Sequence, residues 1–343
     1  MPVKSTNASI MSLIKETSTS DMIFNLICGT TEISKIGGIS AAGSNPEITL
    51  LTPTLDSEII ARGKCLSLPI PPMTPEGIPT PALITRASLT TLGIESVILD
   101  AGFKEPPRVP YFHSGIGTSR DPSKDAALPN YRVAFDAGRY IGKVLGKRYG
   151  LVALGESIPG GTTTSYLVLR SLGLNLQTSS SMPSDPRNMK EELWENVVRR
   201  ADPDNLNVEE KIREYGDYVQ ATTLGILSAL ENTPALLFGG TQMATIFHLS
   251  NLLGQKVDKY LCTTSWVYNH RKETIDFLVP EKQRLVISEM TFSESAHEGL
   301  RMYNLGHVRE GAGMGGSFML AALKLGSEKR VYSEIDKLYG SFA

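Results

Sequence analysis

Between Gly150 and Gly173 three signals follow one another without a gap: an apolar run, a Gly/Thr-rich loop and a helical pattern. Gly150-Leu151-Val152-Ala153-Leu154 reads as a buried strand. Gly155-Glu156-Ser157-Ile158-Pro159-Gly160-Gly161-Thr162-Thr163-Thr164-Ser165 reads as the loop, and Tyr166 to Leu172 as a helix ending at Gly173. A strand that feeds a helix through such a loop presents backbone N–H groups and hydroxyls at the helix N-terminus, a ready anion site. The carboxylate of Glu156 opens the same loop. A phosphate cradle beside an acid points to chemistry on a phosphorylated small molecule.

The same alternation recurs along the chain. Strands are predicted at Met22–Cys28, Ile48–Leu51, Ser96–Asp100, Leu151–Leu154, Ala235–Phe238, Lys259–Ser265 and Arg284–Ser288. Most lack polar alternation, as expected of strands covered on both faces. Helices are predicted at Ala82–Leu92 (Thr80 as N-cap, Pro81 at N1), Tyr131–Leu145, Gly161–Leu172, Asn188–Arg200, Val208–Leu230, Thr241–Leu253 and Gly315–Leu325. Repeated β-then-α order implies an α/β fold, a doubly wound, mainly parallel sheet with helices on both faces. Ligands bind beyond the C-terminal strand ends of such sheets. Residues 20–325 are expected to form the main nucleotide-binding domain. Residues 1–19 and 326–343 read as terminal helical segments, with 188–230 as a candidate small helical subdomain. Leu66–Pro81, with six prolines, reads as an extended connector, and Ser179–Arg187 as a polar loop placed to lie over a site.

Charge excludes several functions. With 34 basic and 36 acidic residues the chain is nearly neutral, so it has no electrostatic case for nucleic acid or anionic membranes. No apolar stretch approaches ~20 residues, and the N-terminus lacks a signal-peptide core, so a soluble cytoplasmic protein is expected. Three widely spaced cysteines, with no CxxC pair, argue against disulfides or structural zinc. His297-Glu298 is not a zinc helix, and no metal cluster stands out. No lysine follows Gly160-Gly161 as a phosphate-binding P-loop requires.

Other strand ends carry glycine and polar residues. Asp100-Ala101-Gly102 follows one, Gly239-Gly240-Thr241 another. Near the C-terminus comes Gly306-His307-Val308-Arg309-Glu310-Gly311-Ala312-Gly313-Met314-Gly315-Gly316, where a carboxylate enters a second glycine-rich turn before an apolar helix. At these residues the chain resembles the nicotinate-nucleotide–dimethylbenzimidazole phosphoribosyltransferase family, which makes the lower-ligand nucleotide of cobalamin. GESIPGGTTTS resembles that family's GE-x-GIGNTT loop, HVREGAGMGG its RLGEGTGAA segment and FGGTQMA (Phe238–Ala244) its VGGFEIA segment. DAGF (Asp100–Phe103), GTSRDPSKDAAL (Gly117–Leu128) and SESAHEGLRMY (Ser293–Tyr303) are similar to three further stretches, and all six agree in order. They span roughly residues 95–325, and the pattern is nearer the archaeal and cyanobacterial-type branch. Pro159, the Thr tail and Met314-Gly315-Gly316 depart from it, and the first ~95 residues match little.

The resemblance implies transfer of ribose 5-phosphate from nicotinate mononucleotide to a benzimidazole-like or purine base, with no cofactor and no metal, in a homodimer. It assigns Glu310 as general base and Glu156 as the second acid. Gly160, Gly161, Thr162 and Thr163 would hold the phosphate, with Gly239, Gly240, Gly311 and Gly313 lining the substrate site. Lys190 matches the family's phosphate-contacting lysine, with Lys211 as the alternative. Asp100 and His297 are candidates for the base pocket.

Each residue also has a plain structural reading. Glu156 alone would be a capping acid, Asp100 a turn cap, Lys190 a surface lysine and His297 a hydrogen-bonded structural residue. The glycines around Glu310 would serve close packing. The competing function is a non-catalytic nucleotide-binding or sensor protein on the same fold, and two retained acids argue against it.

Overall fold

The computed structural model describes residues 3–4, 8–40, 42–43, 45–68, 72–74, 76–180 and 185–342. Pro69, Pro71 and Pro75 of the proline-rich connector, and residues 181–184 of the polar loop, lie outside the described residues. The strands are β1 (Val3–Lys4), β2 (Met22–Cys28), β3 (Glu95–Asp100), β4 (Leu151–Ser157), β5 (Ala235–Phe238), β6 (Lys259–Thr264) and β7 (Leu285–Ser288). The helices begin with α1 (Ala8–Glu16), α2 (Pro46–Arg62), α3 (Ala82–Leu92), α4 (Tyr131–Arg148), α5 (Gly161–Ser171), α6 (Arg187–Arg200) and α7 (Val208–Tyr215). They continue with α8 (Tyr218–Leu227), α9 (Thr241–Leu252), α10 (Ser265–His270), α11 (Lys272–Leu278), α12 (Glu298–Arg301), α13 (Met314–Leu325) and α14 (Lys329–Gly340).

The strands form one sheet in the order β1-β7-β6-β5-β4-β2-β3. The six from β7 to β3 are parallel, and β1 adds an antiparallel edge on β7. Side chains alternate between faces with period two. Ile23 and Ile27 of β2, with Val152 and Leu154 of β4, enter a core shared with α4, α5, α8 and α9. Met22, Phe24, Leu26 and Cys28 point the other way, onto α1, α2, α3 and α13. Both faces are covered, which is why the strands carry no polar alternation. From β2 the chain steps outward to β3, then returns to the other side of β2 as β4. That reversal opens a crevice at the C-terminal ends of β2 and β4.

Two expectations are corrected. Ile48–Leu51 is not a strand but part of α2. Asn45 caps that helix, its Oδ1 accepting the Ile48 N–H at 3.0 Å, and Pro46 occupies its first turn. This Asn-Pro-Glu start is a helix signal that the apolar run concealed. The single helix Val208–Leu230 is two, broken at Gly216. Asn207 with Glu210, and Asp217 with Gln220, each form a capping box, so the sequence carries two helix starts. Leu193 and Val197 of α6, Ile212 of α7 and Val219 of α8 pack into the same apolar cluster as the sheet. Among the described residues no helix is long and apolar enough to cross a membrane.

Helix α8 is buried along its whole length and packs against α4 through glycines. A Cβ on Gly138 would stand 2.1 Å from the Thr222 carbonyl oxygen, and one on Gly142 would stand 2.4 Å from that of Ile226. Gly146, one turn on, would meet nothing closer than 3.4 Å. Gly138→Val is therefore expected to lower stability by about 3 kcal/mol through forced separation of the helices. Gly146→Ala should be neutral or stabilising by up to about 1 kcal/mol through helix propensity. Urea unfolding midpoints of the two variants check this; equal midpoints would show that the close approach is not needed.

Candidate active site

The crevice is a cleft of about 970 Å³, open mouth included. Three helix N-termini meet at it. Helix α5 begins after Gly160, whose φ of 82° is a left-handed conformation that glycine adopts without strain. A Cβ on Gly161 would fall 1.7 Å from Gln242 Oε1, so that position admits no side chain. Helix α9 starts at Gly240-Thr241, and α13 follows Gly313, also left-handed at φ 78°. Glu156, Gly160, Gly161, Thr162, Gly240, Glu310 and Gly311 all line the cleft. Thr163, Lys190, Gly239 and Gly313 lie behind this lining.

Glu310 sits in the turn before α13. Its Oε1 accepts the N–H groups of Gly311 and Gly315, both at 3.1 Å, while Oε2 is buried without a partner. A Cβ on Gly315 would stand 2.5 Å from that Oε2, so glycine makes room for the carboxylate. Burial pushes the carboxyl up to about 7, against the pull of those backbone donors. The turn is strained: Val308 and Ala312, neither of them glycine, hold φ at 43° and 50°. Gly313 and Gly316 serve packing instead: a Cβ on Gly316 would stand 2.0 Å from the Phe238 ring, and one on Gly313 would press on Phe24 at 3.1 Å.

Glu156 ends β4. Burial, and the charges of Glu310, Asp217 and Asp56, raise its carboxyl well above the usual range. Two of these neighbours have no counterpart in the sequence reading. Asp56, on α2, lines the cleft and accepts hydroxyl bonds from Thr80 and Ser157, each at 2.6 Å. Burial lifts it to about 6. Asp217, the N-cap of α8, accepts from the Thr164 hydroxyl and from Gln242 Nε2 at 3.1 Å, and burial likewise lifts it to about 6. Neither acid belongs to a local motif. The only trace of Asp217 in the sequence is its capping box with Gln220.

Three cations line up along Thr178–Ser180. Arg271 donates to the carbonyl of Thr178, Lys190 to that of Ser179 and Arg309 to that of Ser180, at 2.9, 3.1 and 2.9 Å. Lys190 is fully buried, also donates to Thr178 Oγ1 at 3.0 Å, and is lowered by burial to about 8. It braces this stretch from behind. Lys211 lies on α7, away from the cleft lining. Asp100 caps the turn after β3, taking the Gly102 N–H at 2.8 Å and His113 Nδ1 at 3.0 Å. His297 Nε2 meets the Asp336 carbonyl at 3.1 Å, and its ring packs on Tyr339. Neither Asp100 nor His297 lines the cleft. The proline-rich connector does: Pro72, Met73, Ile78, Pro79 and Pro81 form one of its walls.

No family model matches the chain. Two curated relatives are a UPF0284 protein of Thermoplasma volcanium, 44% identical over 321 residues (93% of this chain, 94% of that protein), and one of Thermoplasma acidophilum, 44% over 330 residues (95% of each). Among solved structures, nicotinate-nucleotide–dimethylbenzimidazole phosphoribosyltransferase from Thermus thermophilus superposes with a TM-score of 0.62 at 15% identity, covering 93% of this chain and 84% of that one. CobT from the same organism gives 0.64 at 15%, covering 95% and 87%. The expected doubly wound α/β fold is thus the fold of those proteins, and by sequence the chain belongs to the UPF0284 family.

Proposed function

We propose that this cleft moves the ribose 5-phosphate of nicotinate mononucleotide onto a benzimidazole-like or purine base and releases nicotinate. The observation that carries the reading is Glu310: a carboxyl tuned to about 7 in a cleft ringed by helix N-termini. The shared fold with the Thermus thermophilus phosphoribosyltransferase supports it. A ring nitrogen of the base attacks the anomeric carbon as the bond to the pyridinium nitrogen breaks. The bonding pair returns to the pyridine ring, which leaves without needing a proton. The proton on the base's second ring nitrogen passes to Glu310. Glu156, whose carboxyl is raised well above the usual range by burial and by the charges of Glu310, Asp217 and Asp56, faces the ribose as the second acid. The helix N-termini at Gly160–Thr162 and Gly240–Thr241 hold the phosphate, and two rings fixed side by side supply the rest by orientation.

The assay mixes the protein with nicotinate mononucleotide and a panel of bases, and follows nicotinate release with product mass. Release that depends on base supports the reading. Tight nucleotide binding without release for any base would instead make the protein a binder. Glu310→Gln should keep nucleotide affinity and lower kcat by about 100-fold or more. Thr162→Val should raise the Kd for nicotinate mononucleotide while leaving that for nicotinate riboside unchanged. Equal losses would remove the phosphate from the α5 N-terminus.

The pH dependence has a definite sign. Glu310 must be ionised to accept a proton, so kcat should fall about tenfold per unit as pH drops below about 7. Stability runs the other way. Asp56, Asp217 and Glu310 are raised in the folded state, so it binds more protons than the unfolded chain between about 4 and 7. Their contribution is complete below about 4 and is lost as pH rises through 6 to 7. A Tm that climbs over that interval would contradict the burial of these acids.

A further inference from the structure

The cleft lining is of two chemical kinds. The N-termini of α5 and α9 with Ser179 and Ser180 are suited to an anion. The connector residues Pro72, Met73, Ile78, Pro79 and Pro81 form an apolar slot for a flat ring. The slot adjoins the turn of Glu310, because Pro81 comes within 3.1 Å of the place a Gly311 Cβ would occupy. One further ionisable group lies against the connector. Asp56, 3% exposed, sits beneath Thr80, the residue before Pro81.

A carboxylate offers about four lone-pair sites. At Asp56 two neutral hydroxyls, Thr80 on Oδ1 and Ser157 on Oδ2, are its hydrogen-bond donors. Among the described residues Arg309 is the one cation of the cleft lining, and it donates to the Ser180 carbonyl. A ring that fills the slot covers the little of this carboxylate that faces the cleft. If its edge bears only methyl groups, the open lone pairs gain no donor, and the cost of closing them off falls on binding. If its edge bears an O–H or N–H, the ring supplies a charge-assisted hydrogen bond there.

We propose that Asp56 selects the incoming base, and that the preferred base is a flat heteroaromatic ring with a hydroxyl or amino donor on the edge away from the reacting nitrogens. This rests on the transferase reading and adds to it which bases are accepted. A site built around a buried acceptor discriminates strongly against analogues that lack the donor.

The test uses three benzimidazoles that differ at one position: 5-hydroxy, 5-methoxy and 5-methyl. Calorimetric titration of each into the full chain with nicotinate mononucleotide bound measures preference without requiring turnover; nicotinate release measures kcat/KM. The 5-hydroxy compound should exceed both others by about 100-fold in either readout. In Asp56→Asn, which keeps the shape and loses the charge, the ratio should fall at least about tenfold, with the Kd for nicotinate mononucleotide unchanged. Thr80→Val removes one competing hydroxyl and should keep the preference. Parity among the three bases, preference for the methyl compound, or an unaltered ratio in Asp56→Asn would each overturn the proposal. Absence of nicotinate release with a strong 5-hydroxy preference in calorimetry would overturn the transferase reading and leave Asp56 as the selector of a bound ring only.

Discussion

The site depends on how the turn before α13 is tied to the sheet. The Ala312 N–H donates to the backbone oxygen of Glu156 at 2.9 Å, so the ends of β4 and of the Glu310 turn are joined directly. Thr85 on α3 donates to the Ala312 carbonyl at 2.9 Å, and Thr264 at the end of β6 donates to that of Arg309 at 2.7 Å. These three bonds hold a turn with two non-glycine residues in left-handed conformations, which a free loop would relax. The strain is borne by the sheet and by α3, and it fixes the two glutamates on one cleft.

That geometry also sets the electrostatics. Four carboxyls, Asp56, Glu156, Asp217 and Glu310, come from four separate elements and share one desolvated region. Like charges so placed cannot all ionise near neutral pH, and the protons settle where donors are fewest. Asp56 and Asp217 each have hydroxyl or amide donors that favour their charged forms, and Glu310 has two backbone N–H groups. Glu156 has the charges of the other three against it, and with burial they raise its carboxyl well above the usual range. The two glutamates therefore sit in different surroundings by position alone.

Sequence legibility followed the range of the interactions. Helix α3 and strands β2 and β5 stand at the residues predicted, because apolar period and turn residues are local signals. Ile48–Leu51 was misread because four apolar-rich residues do not distinguish a strand from a buried helix turn, and the Asn45 cap lies outside the run. The break at Gly216 was hidden by apolar residues on both sides. The Glu156 and Glu310 loops were readable because glycine and acid are adjacent in the chain. Asp56 was not: its partners Thr80 and Ser157 lie 24 and 101 positions away, and only the folded chain brings them together. The proline-rich stretch showed its extended form but not its place as a wall of the cleft.

The division between legible and illegible parts matches a division of labour in the cleft. Loops whose glycine and acid are contiguous supply the polar lining, with its backbone N–H groups and two glutamates. Each is one short stretch of chain, so it can be written in a short motif. The apolar slot is assembled from the connector, in the part of the chain where the resemblance to the phosphoribosyltransferase family fades. Asp56 of α2 meets both parts, since it accepts from Thr80 of the connector and from Ser157, the residue after Glu156. The proposed choice of base and the proposed chemistry are therefore joined through one buried carboxylate, although the chain segments that carry them are far apart in sequence.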